Sequence, residues 1–218
     1  MPVAVTLDQI LQLAPRCGAA YRDAFASGQA ILDCHGISAA PLRIAHFLAQ
    51  VLHESGALTL QFENLRYSRE RLPVIWPRRF LPRGPLNPAD YAFQPEKLAN
   101  EVYGGRMGNV LPGDGYLFRG RGLLQLTGKD SYERATTSLQ RSLPKAPNLV
   151  SEPDAVVSAQ WCLSVAAANW AERGCNQAAD HDDVAEVTYL INGGAIGLAD
   201  RIAWTGKTRA LWKAAFIA

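Results

Sequence analysis

The stretch from Arg43 to Asn64 constrains the fold more than any other part of the chain, because an amphipathic helix must form there and then stop. Pro41 fits the first turn of a helix, where its missing N–H is not needed, so we expect the helix to begin near Ala40. Gly56 predicts its end, since glycine adopts the left-handed conformation that terminates helices at little cost. Apolar residues at helical spacing predict one face packed against a core. They are Ile44, Phe47, Leu48, Val51 and Leu52.

Two glutamates in this stretch, Glu54 and Glu63, are candidate catalytic groups. At about 100° per residue Glu54 lies beside Phe47, where partial burial favours the protonated carboxyl that a general acid needs. An unbroken helix would carry Glu63 about 13 Å away onto the opposite face, so the break at Gly56 is required to bring the pair together. Carboxyl groups about 6.5 to 9.5 Å apart would suit glycoside hydrolysis with inversion. The alternative is that each glutamate is solvated or caps a helix.

His53 and Glu54 also match the start of the zinc-protease motif, in which a second histidine one turn later binds the same metal. That position is Ala57, so the zinc interpretation fails and His53 is expected to be a surface or hydrogen-bonding residue. The cysteines show no zinc-ligand spacing, and we expect buried, reduced thiols and no metal site. They are Cys17, Cys34, Cys162 and Cys175.

Length and composition indicate one well-buried domain spanning residues 1–218, with 48% hydrophobic residues and a net charge of +2. This near-neutral charge and the absence of a basic stripe argue against nucleic-acid binding. No apolar run approaches the roughly 20 residues of a membrane span, so stable membrane insertion is not expected. Residues 1–15 carry no basic residue and contain Asp8, which predicts a chain made in the cytoplasm without a signal peptide.

Helices are predicted on both sides of the central stretch. Thr6 and Gln9 form a capping box for a short first helix, and a second helix should run from about Ala19 to Cys34. We interpret residues 6–35 as packing elements. Later helices are expected from Asp154 to Arg173, from Asp182 to Ile191 and from Leu198 to Phe216.

The middle of the chain is rich in proline and then in glycine. Six prolines between residues 73 and 95 predict loops, with helical pieces around ENLRYS and EKLANEVYG. Aromatic residues of these loops would pack in a core or stack on sugars. The glycine-rich segment 104–128 lacks a phosphate-loop motif, and its LLQLT run predicts a strand or a buried turn. There, Gln125 and Thr127 are polar groups in an apolar context, and they need backbone or substrate partners.

Four motifs occur in the order HESGALTLQFENLRYS, LANEVYGGRMGN, YLFRGRGLLQLTG and INGGAIGLADR. Together they resemble the family 19 glycoside hydrolases over about residues 40–205. The likeness is closer to the phage and prophage lysozymes, or endolysins, than to the plant-type chitinases. It implies a mainly α, lysozyme-like helical fold with two lobes flanking a substrate cleft, and an inverting mechanism without a cofactor.

Catalytic roles follow from the resemblance, motif by motif. Glu54 matches the general acid and Glu63 the general base. Thr127 matches a residue that holds the attacking water, and Gln125 matches a substrate contact two residues earlier.

The same resemblance implies further substrate contacts. Asn192 matches an asparagine that contacts sugar, and Arg201 matches an arginine that supports the surroundings of the acid. Tyr67 and Tyr132 match cleft tyrosines. The chain departs from many relatives at Ser131, where they carry asparagine, and this puts that one contact in doubt.

The expected function is a peptidoglycan hydrolase that cleaves between N-acetylmuramic acid and N-acetylglucosamine. The alternatives are a chitinase and a non-catalytic glycan-binding protein on the same fold. A monomer acting on glycan strands at the wall after release from the cytoplasm is expected. Arginines near the motifs would favour the carboxylates of peptidoglycan, or would be solvated or paired with Asp90 and Asp114. They are Arg66, Arg69, Arg71, Arg106, Arg119 and Arg121.

Overall fold

A computed structural model describes residues 1–212, and these residues are mainly α-helical, as predicted. Apart from helices, the described residues include an isolated bridge between Phe80 and Leu86. No described helix combines the length and apolar character that crossing a membrane requires. In chain order the helices are α1 (Leu7–Leu13), α2 (Ala19–Ala26), α3 (Gln29–Cys34), α4 (Pro41–Glu54), α5 (Leu72–Ile75), α6 (Pro95–Tyr103), α7 (Asp114–Leu117), α8 (Lys129–Ser142), α9 (Cys162–Glu172), α10 (Cys175–Asp180), α11 (Val184–Asn192) and α12 (Leu198–Leu211), with 3₁₀ helices at Pro88–Asp90 and Pro153–Val157.

The chain divides into two compact units. The larger unit comprises Met1–Gln61, Arg121–Gln125 and the chain from Glu133 onward. The smaller unit comprises Phe62–Gly120 and Leu126–Tyr132. Glu54 therefore belongs to the larger unit and Glu63 to the smaller one.

Helix α4 lies in the core of the larger unit. It begins after Ala40 with Pro41 in its first turn and ends before Gly56, as predicted. The residues of the predicted apolar stripe are at most 2% exposed. Residues outside that stripe are buried as well, including His46 and Gln50, so the prediction of a single buried face was too narrow. The polar residues tolerate burial because they have partners, and His46 Nε2 lies 2.8 Å from an oxygen of Asp182.

The first helices pack against the same core. The capping box of Thr6 and Gln9 is present at the start of α1. The predicted single helix from Ala19 to Cys34 is wrong, because the chain breaks between α2 and α3 at Gly28. A Cβ atom at Gly28 would lie 2.3 Å from Leu163 Cδ2 and 2.8 Å from a carbonyl oxygen of α2. The close approach of α9 therefore requires glycine at this position.

We expect Gly28→Ala to destabilise the larger unit by about 1–3 kcal/mol, because the added methyl group overpacks the contact with α9. Gly206→Ala is the matched control, since a Cβ at Gly206 in α12 meets no atom within 4 Å. That control should stabilise the protein by about 0.5–1 kcal/mol through improved helix propensity. Urea unfolding followed by circular dichroism measures both changes, and equal effects of the two substitutions would contradict the packing argument.

The smaller unit has its own apolar cluster. Aromatic residues of the proline-rich segment pack against it while staying partly exposed, and the ring of Tyr67 meets that of Trp76 edge-on at 5.2 Å. The segment is tied to α6 by an ion pair in which Arg79 Nη1 lies 3.0 Å from Glu101 Oε1. The buried members of the cluster are Leu65, Leu72, Phe80, Leu98, Ala99 and Val102.

The helix predicted from Asp154 to Arg173 is shorter than expected. A 3₁₀ helix at Pro153–Val157 and a turn precede α9, which begins only at Cys162. Asp154 does not cap α9, and its carboxylate instead lies 3.2 Å from Nε of the buried Arg121. The need to pair that buried cation outweighs the local capping preference.

Another cap was assigned one residue too early. Asp183, rather than Asp182, accepts a hydrogen bond from the backbone N–H of Glu186 at the start of α11, at 2.9 Å. Asp182 instead faces His46 and pairs with Arg209. These partners lie far away in the sequence, so the local pattern could not reveal them.

Four other predictions have mixed outcomes. Residues 63–68, predicted as a helical piece, are irregular. The EKLANEVYG piece is helical within α6, and residues 122–125 of the glycine-rich segment form a turn rather than a strand. Helix α12 begins at Leu198 as predicted, whereas residues 213–216 of the predicted helix lie outside the described residues.

All four cysteines are free thiols. Cys17, Cys162 and Cys175 are buried as predicted, but Cys34, at the end of α3, is exposed. Burial raises the pKa of Cys162 and of Cys175 to about 12. These two thiols are therefore uncharged and unreactive near neutral pH.

Candidate active site

Glu54 is the last residue of α4, and its side chain is 16% exposed. Arg201 of α12, whose side chain is 2% exposed, donates one hydrogen bond to Glu54 Oε1 and another to the side-chain oxygen of Gln50. Because Gln50 and Glu54 are one turn apart on α4, a single guanidinium group spans both. A planar, multiply donating group suits this geometry better than the point charge of lysine. Glu54 therefore has a fixed carboxyl oxygen and a partly buried setting.

The residue before Glu54 is fixed in a similar way. His53 Nδ1 lies 2.6 Å from Asp200 Oδ2, which confirms the expectation of a hydrogen-bonding histidine. Gly197 closes the other edge of the imidazole, since a Cβ there would lie 2.6 Å from His53 Nε2. Two neighbouring residues of α4 are thus held by two neighbouring residues of α12, Asp200 and Arg201. This double contact sets the register of the two helices at the site.

We expect Arg201→Lys to lower kcat by about 10- to 100-fold, because lysine keeps the charge but cannot hold Gln50 and Glu54 together. Arg209→Lys is the matched control on the same helix, where the side chain is 45% exposed. It should change kcat by less than about twofold. Initial rates at saturating substrate measure the effect. Equal rates for wild type and Arg201→Lys would show that the contact of Arg201 with Gln50 and Glu54 does not position Glu54.

Glu63 is half-buried in the smaller unit, and both of its carboxyl oxygens accept hydrogen bonds. The Tyr103 hydroxyl donates to Oε2 at 2.7 Å, and the Gly120 backbone N–H donates to Oε1 at 2.6 Å. The Glu63 backbone N–H in turn donates to the Gly120 carbonyl oxygen at 3.0 Å. Burial and, to a lesser degree, the negative charge of Glu63 raise the pKa of Tyr67, which therefore lies within electrostatic reach. Donors to both oxygens fix the orientation of the Glu63 carboxyl group.

The predicted residues of the glycine-rich segment fall in different units. Thr127 is partly exposed in the smaller unit and precedes Gly128, whose N–H donates to the Phe118 carbonyl oxygen at 2.8 Å. Gln125 belongs to the larger unit and has a left-handed backbone with φ of 46°. That conformation is uncommon for a residue other than glycine. Their roles toward water and substrate stay predictions.

The predicted substrate contacts differ in accessibility. Tyr67 is partly exposed and belongs to the same unit as Glu63. Asn192 is exposed at the end of α11, where its amide donates to the Ile196 carbonyl oxygen at 3.4 Å. Tyr132 is fully buried, and its hydroxyl donates to the Arg119 carbonyl oxygen at 2.9 Å. A sugar could not reach Tyr132 without local opening, so this residue supports the smaller unit instead.

Sequence reasoning missed three groups that hold the two glutamates. Gln50 was visible in principle, since a polar residue inside an otherwise apolar helical stretch needs a partner. Tyr103 and Gly120 fall within two of the recognised motifs, but neither motif indicates which side chain they contact. Among the described residues, no group of three or more His, Cys, Asp or Glu side chains is arranged to hold a metal ion.

The arginines near the motifs differ in burial and in their partners. Arg121 is buried and faces Asp154, and Arg119 stacks over the ring of Tyr116 at 4.0 Å. Arg66 and Arg71 are exposed, and no carboxylate oxygen of the described residues lies within 4.0 Å of their side-chain nitrogens. Both flank Tyr67 in the smaller unit, so they are available to an anionic ligand.

No family model matches the chain. A "Glycosyl hydrolase family 19 domain-containing protein" of Haemophilus influenzae is 40% identical over 159 residues, which cover 72% of this chain and 74% of that protein.

Two solved structures share the fold. Chitinase C from Streptomyces griseus HUT6037 superposes with a TM-score of 0.57 at 19% identity, covering 95% of this chain and 76% of that one. A bacterial family 19 chitinase superposes with a TM-score of 0.56 at 19% identity, covering 95% and 94%. At such low identity the likeness shows a common fold only.

Proposed function

The chain belongs to glycosyl hydrolase family 19, and on that premise we propose that it hydrolyses the β-1,4 bonds between N-acetylmuramic acid and N-acetylglucosamine in bacterial peptidoglycan, with inversion. An enzyme of this kind would act as an endolysin on glycan strands of the cell wall. The motifs assign the roles of acid and base, and the observation that supports the proposal is that defined donors hold both Glu54 and Glu63.

Glu54 is the proposed proton donor. Arg201 donates to Oε1, and no other hydrogen bond from the described residues reaches the carboxyl group. After a proton has left, Arg201 stabilises the carboxylate that remains. Glu63, the proposed base, accepts from Tyr103 and from the Gly120 N–H on its two oxygens, which fixes the orientation of its carboxyl group.

The proposed reaction uses both groups in one displacement. Glu54 donates its proton to the glycosidic oxygen while the bond from that oxygen to C1 breaks. Water attacks C1 from the opposite face and gives a proton to Glu63, with Thr127 holding the water. The bond is hydrolysed with inverted configuration at C1, and proton exchange with solvent restores both glutamates. The separation of Glu54 and Glu63 that inversion requires stays a prediction.

Arg66 and Arg71 favour peptidoglycan as the substrate. Peptidoglycan differs from chitin by a lactyl ether and a peptide on alternate sugars, and its peptides carry carboxylates. The two exposed guanidinium groups flank Tyr67 and have no carboxylate partner among the described residues. Such cations can pair with substrate carboxylates, which chitin does not offer.

Chitin is the second candidate substrate. Two of the solved structures with the same fold are chitinases, and both polymers present β-1,4-linked N-acetylhexosamines to the same acid and base. A third possibility is a protein that binds glycan without cleaving it, which the release of new reducing ends would distinguish.

We expect Glu54→Gln and Glu63→Gln each to lower turnover by about 10²- to 10⁴-fold, because each substitution removes one proton-transfer group while keeping shape. Glu96→Gln is the control, since Glu96 is exposed on α6 and should leave the rate unchanged. Reducing-end release by variants shown to be folded by circular dichroism is the measurement. More than about a tenth of wild-type turnover in either variant would rule out its assigned role.

On peptidoglycan we expect a higher kcat/KM than on chitohexaose. Replacing Arg66 and Arg71 together by Gln should lower kcat/KM on peptidoglycan by about tenfold, through loss of charge pairing, and leave chitohexaose unaffected. Arg83→Gln, an exposed arginine of the same unit, is the control. Equal or faster hydrolysis of chitohexaose would favour the chitinase alternative, and products of amide cleavage alone would exclude a glycosidase.

A further inference from the structure

The motif LANEVYGGRMGN supplies the Tyr103 hydroxyl that contacts Glu63, and it also contacts the chain just after Thr127. It ends α6 and continues into a loop, which we call the bracket segment and define as residues 103–109. At one end the Tyr103 hydroxyl donates to Glu63 Oε2 at 2.7 Å. At the other end Asn109 accepts from the backbone N–H of Lys129 at 2.9 Å, two residues after Thr127.

Asn109 also connects the two ends of the bracket segment. Its side-chain amide donates to the Tyr103 carbonyl oxygen at 3.0 Å, while its own oxygen holds Lys129. The residue is 1% exposed, so both hydrogen bonds are shielded from water. A buried asparagine that loses either partner carries the full cost of an unsatisfied polar group. This arrangement therefore favours one conformation of the segment.

Backbone packing also holds the bracket segment against residues 128–130. The Asp130 N–H donates to the Met107 carbonyl oxygen at 3.0 Å. A Cβ at Gly108 would lie 2.1 Å from Asp130 Oδ1, and one at Gly128 would lie 2.5 Å from Met107 Cβ. Both glycines have left-handed backbones, with φ of 79° and 82°. The two stretches of chain thus approach more closely than side chains would allow.

We propose that the bracket segment is a positioning device for catalysis, in which Tyr103 orients the base Glu63 and Asn109 holds Tyr103 in fixed register with the turn that carries Thr127. The inference rests on the proposed function and deepens it. A general base and the residue that holds the attacking water must keep a constant geometry, because small misplacements are costly in rate. Tyr103 and Asn109 touch neither substrate nor water in this account and act through Glu63 and Thr127.

The hydroxyl of Tyr103 is protonated near neutral pH and can therefore act as a hydrogen-bond donor. Burial raises the pKa of Tyr103 above its usual value, and the nearby charge of Glu63 raises it further. Other titratable or charged groups near Glu63 and Tyr103 include Tyr67, Arg71, Arg106 and Arg119, which lies over the ring of Phe62. None of them donates a hydrogen bond to Glu63, so removal of the Tyr103 hydroxyl changes a contact that no neighbour replaces.

Tyr103→Phe removes that hydroxyl and keeps the ring. We expect kcat to fall about 10- to 100-fold, the range for a hydrogen bond to a charged group, with KM within about twofold of wild type. The acidic limb of the kcat/KM profile should move to higher pH, because the proposed base has lost a donor to its carboxylate. Tyr91→Phe is the matched control, since its hydroxyl lies 3.4 Å from Glu101 and does not contact Glu63.

Amide hydrogen exchange tests the positioning without using activity. The Gly120 N–H, which donates to Glu63, should exchange faster in Tyr103→Phe, and the Lys129 N–H should exchange faster in Asn109→Ala. Tyr91→Phe should change neither amide. If Asn109→Ala does not fold, Tyr103→Phe alone decides the outcome.

The rates are measured on whichever of peptidoglycan or chitohexaose the wild type cleaves faster, so a wrong substrate assignment does not affect the result. A wild type that cleaves neither refutes the proposed function, while the exchange data still test the bracket segment. A Tyr103→Phe variant with wild-type kcat and an unmoved acidic limb would overturn the inference. Unchanged exchange at Gly120 would overturn it as well.

Discussion

The larger unit depends on the buried contact of the Arg201 guanidinium group with Gln50 and Glu54. A buried cation is costly unless its charge is balanced, and here the Glu54 carboxylate of α4 provides the balance while the Gln50 amide oxygen accepts a second hydrogen bond. Removal of Glu54 would leave the charge unbalanced, and removal of Gln50 would leave a buried donor without its acceptor. The contact of His53 with Asp200, one residue away on each helix, fixes the same register. The position of Glu54 is therefore determined by α4 and α12 together.

Local signals in the sequence were sufficient for some elements. The apolar spacing of α4, the proline at its start and the capping box of Thr6 predicted helices where they occur, because these features act within a few residues. The need for glycine at the break between α2 and α3 could not be predicted in this way, since it depends on the approach of Leu163 from a distant helix. Asp154 and Asp182 failed as caps for a similar reason, because distant basic groups compete for their carboxylates.

In the candidate site, too, local motifs indicated some residues, whereas contacts between distant residues could not be predicted. The motifs indicated Glu54, Glu63 and Arg201, but the Tyr103 hydroxyl reaches Glu63 across 40 positions of sequence, and no periodicity encodes such a contact. Two residues of one chemical type have been given different surroundings: one carboxyl has a donor on a single oxygen, and the other has donors on both. The motifs therefore specify the candidates, and the tertiary structure specifies the groups that hold each of them in place.

The cysteines described above have a practical consequence. Three thiols are enclosed by the core, whereas Cys34 stands exposed at the end of α3 on the larger unit. A maleimide reagent added to the native protein would therefore modify one position, well separated in sequence from Glu54 and Glu63. A fluorophore at Cys34 would allow the protein to be followed on sacculi without engineered cysteines. The same thiol would also be the first to oxidise if the protein entered an oxidising compartment.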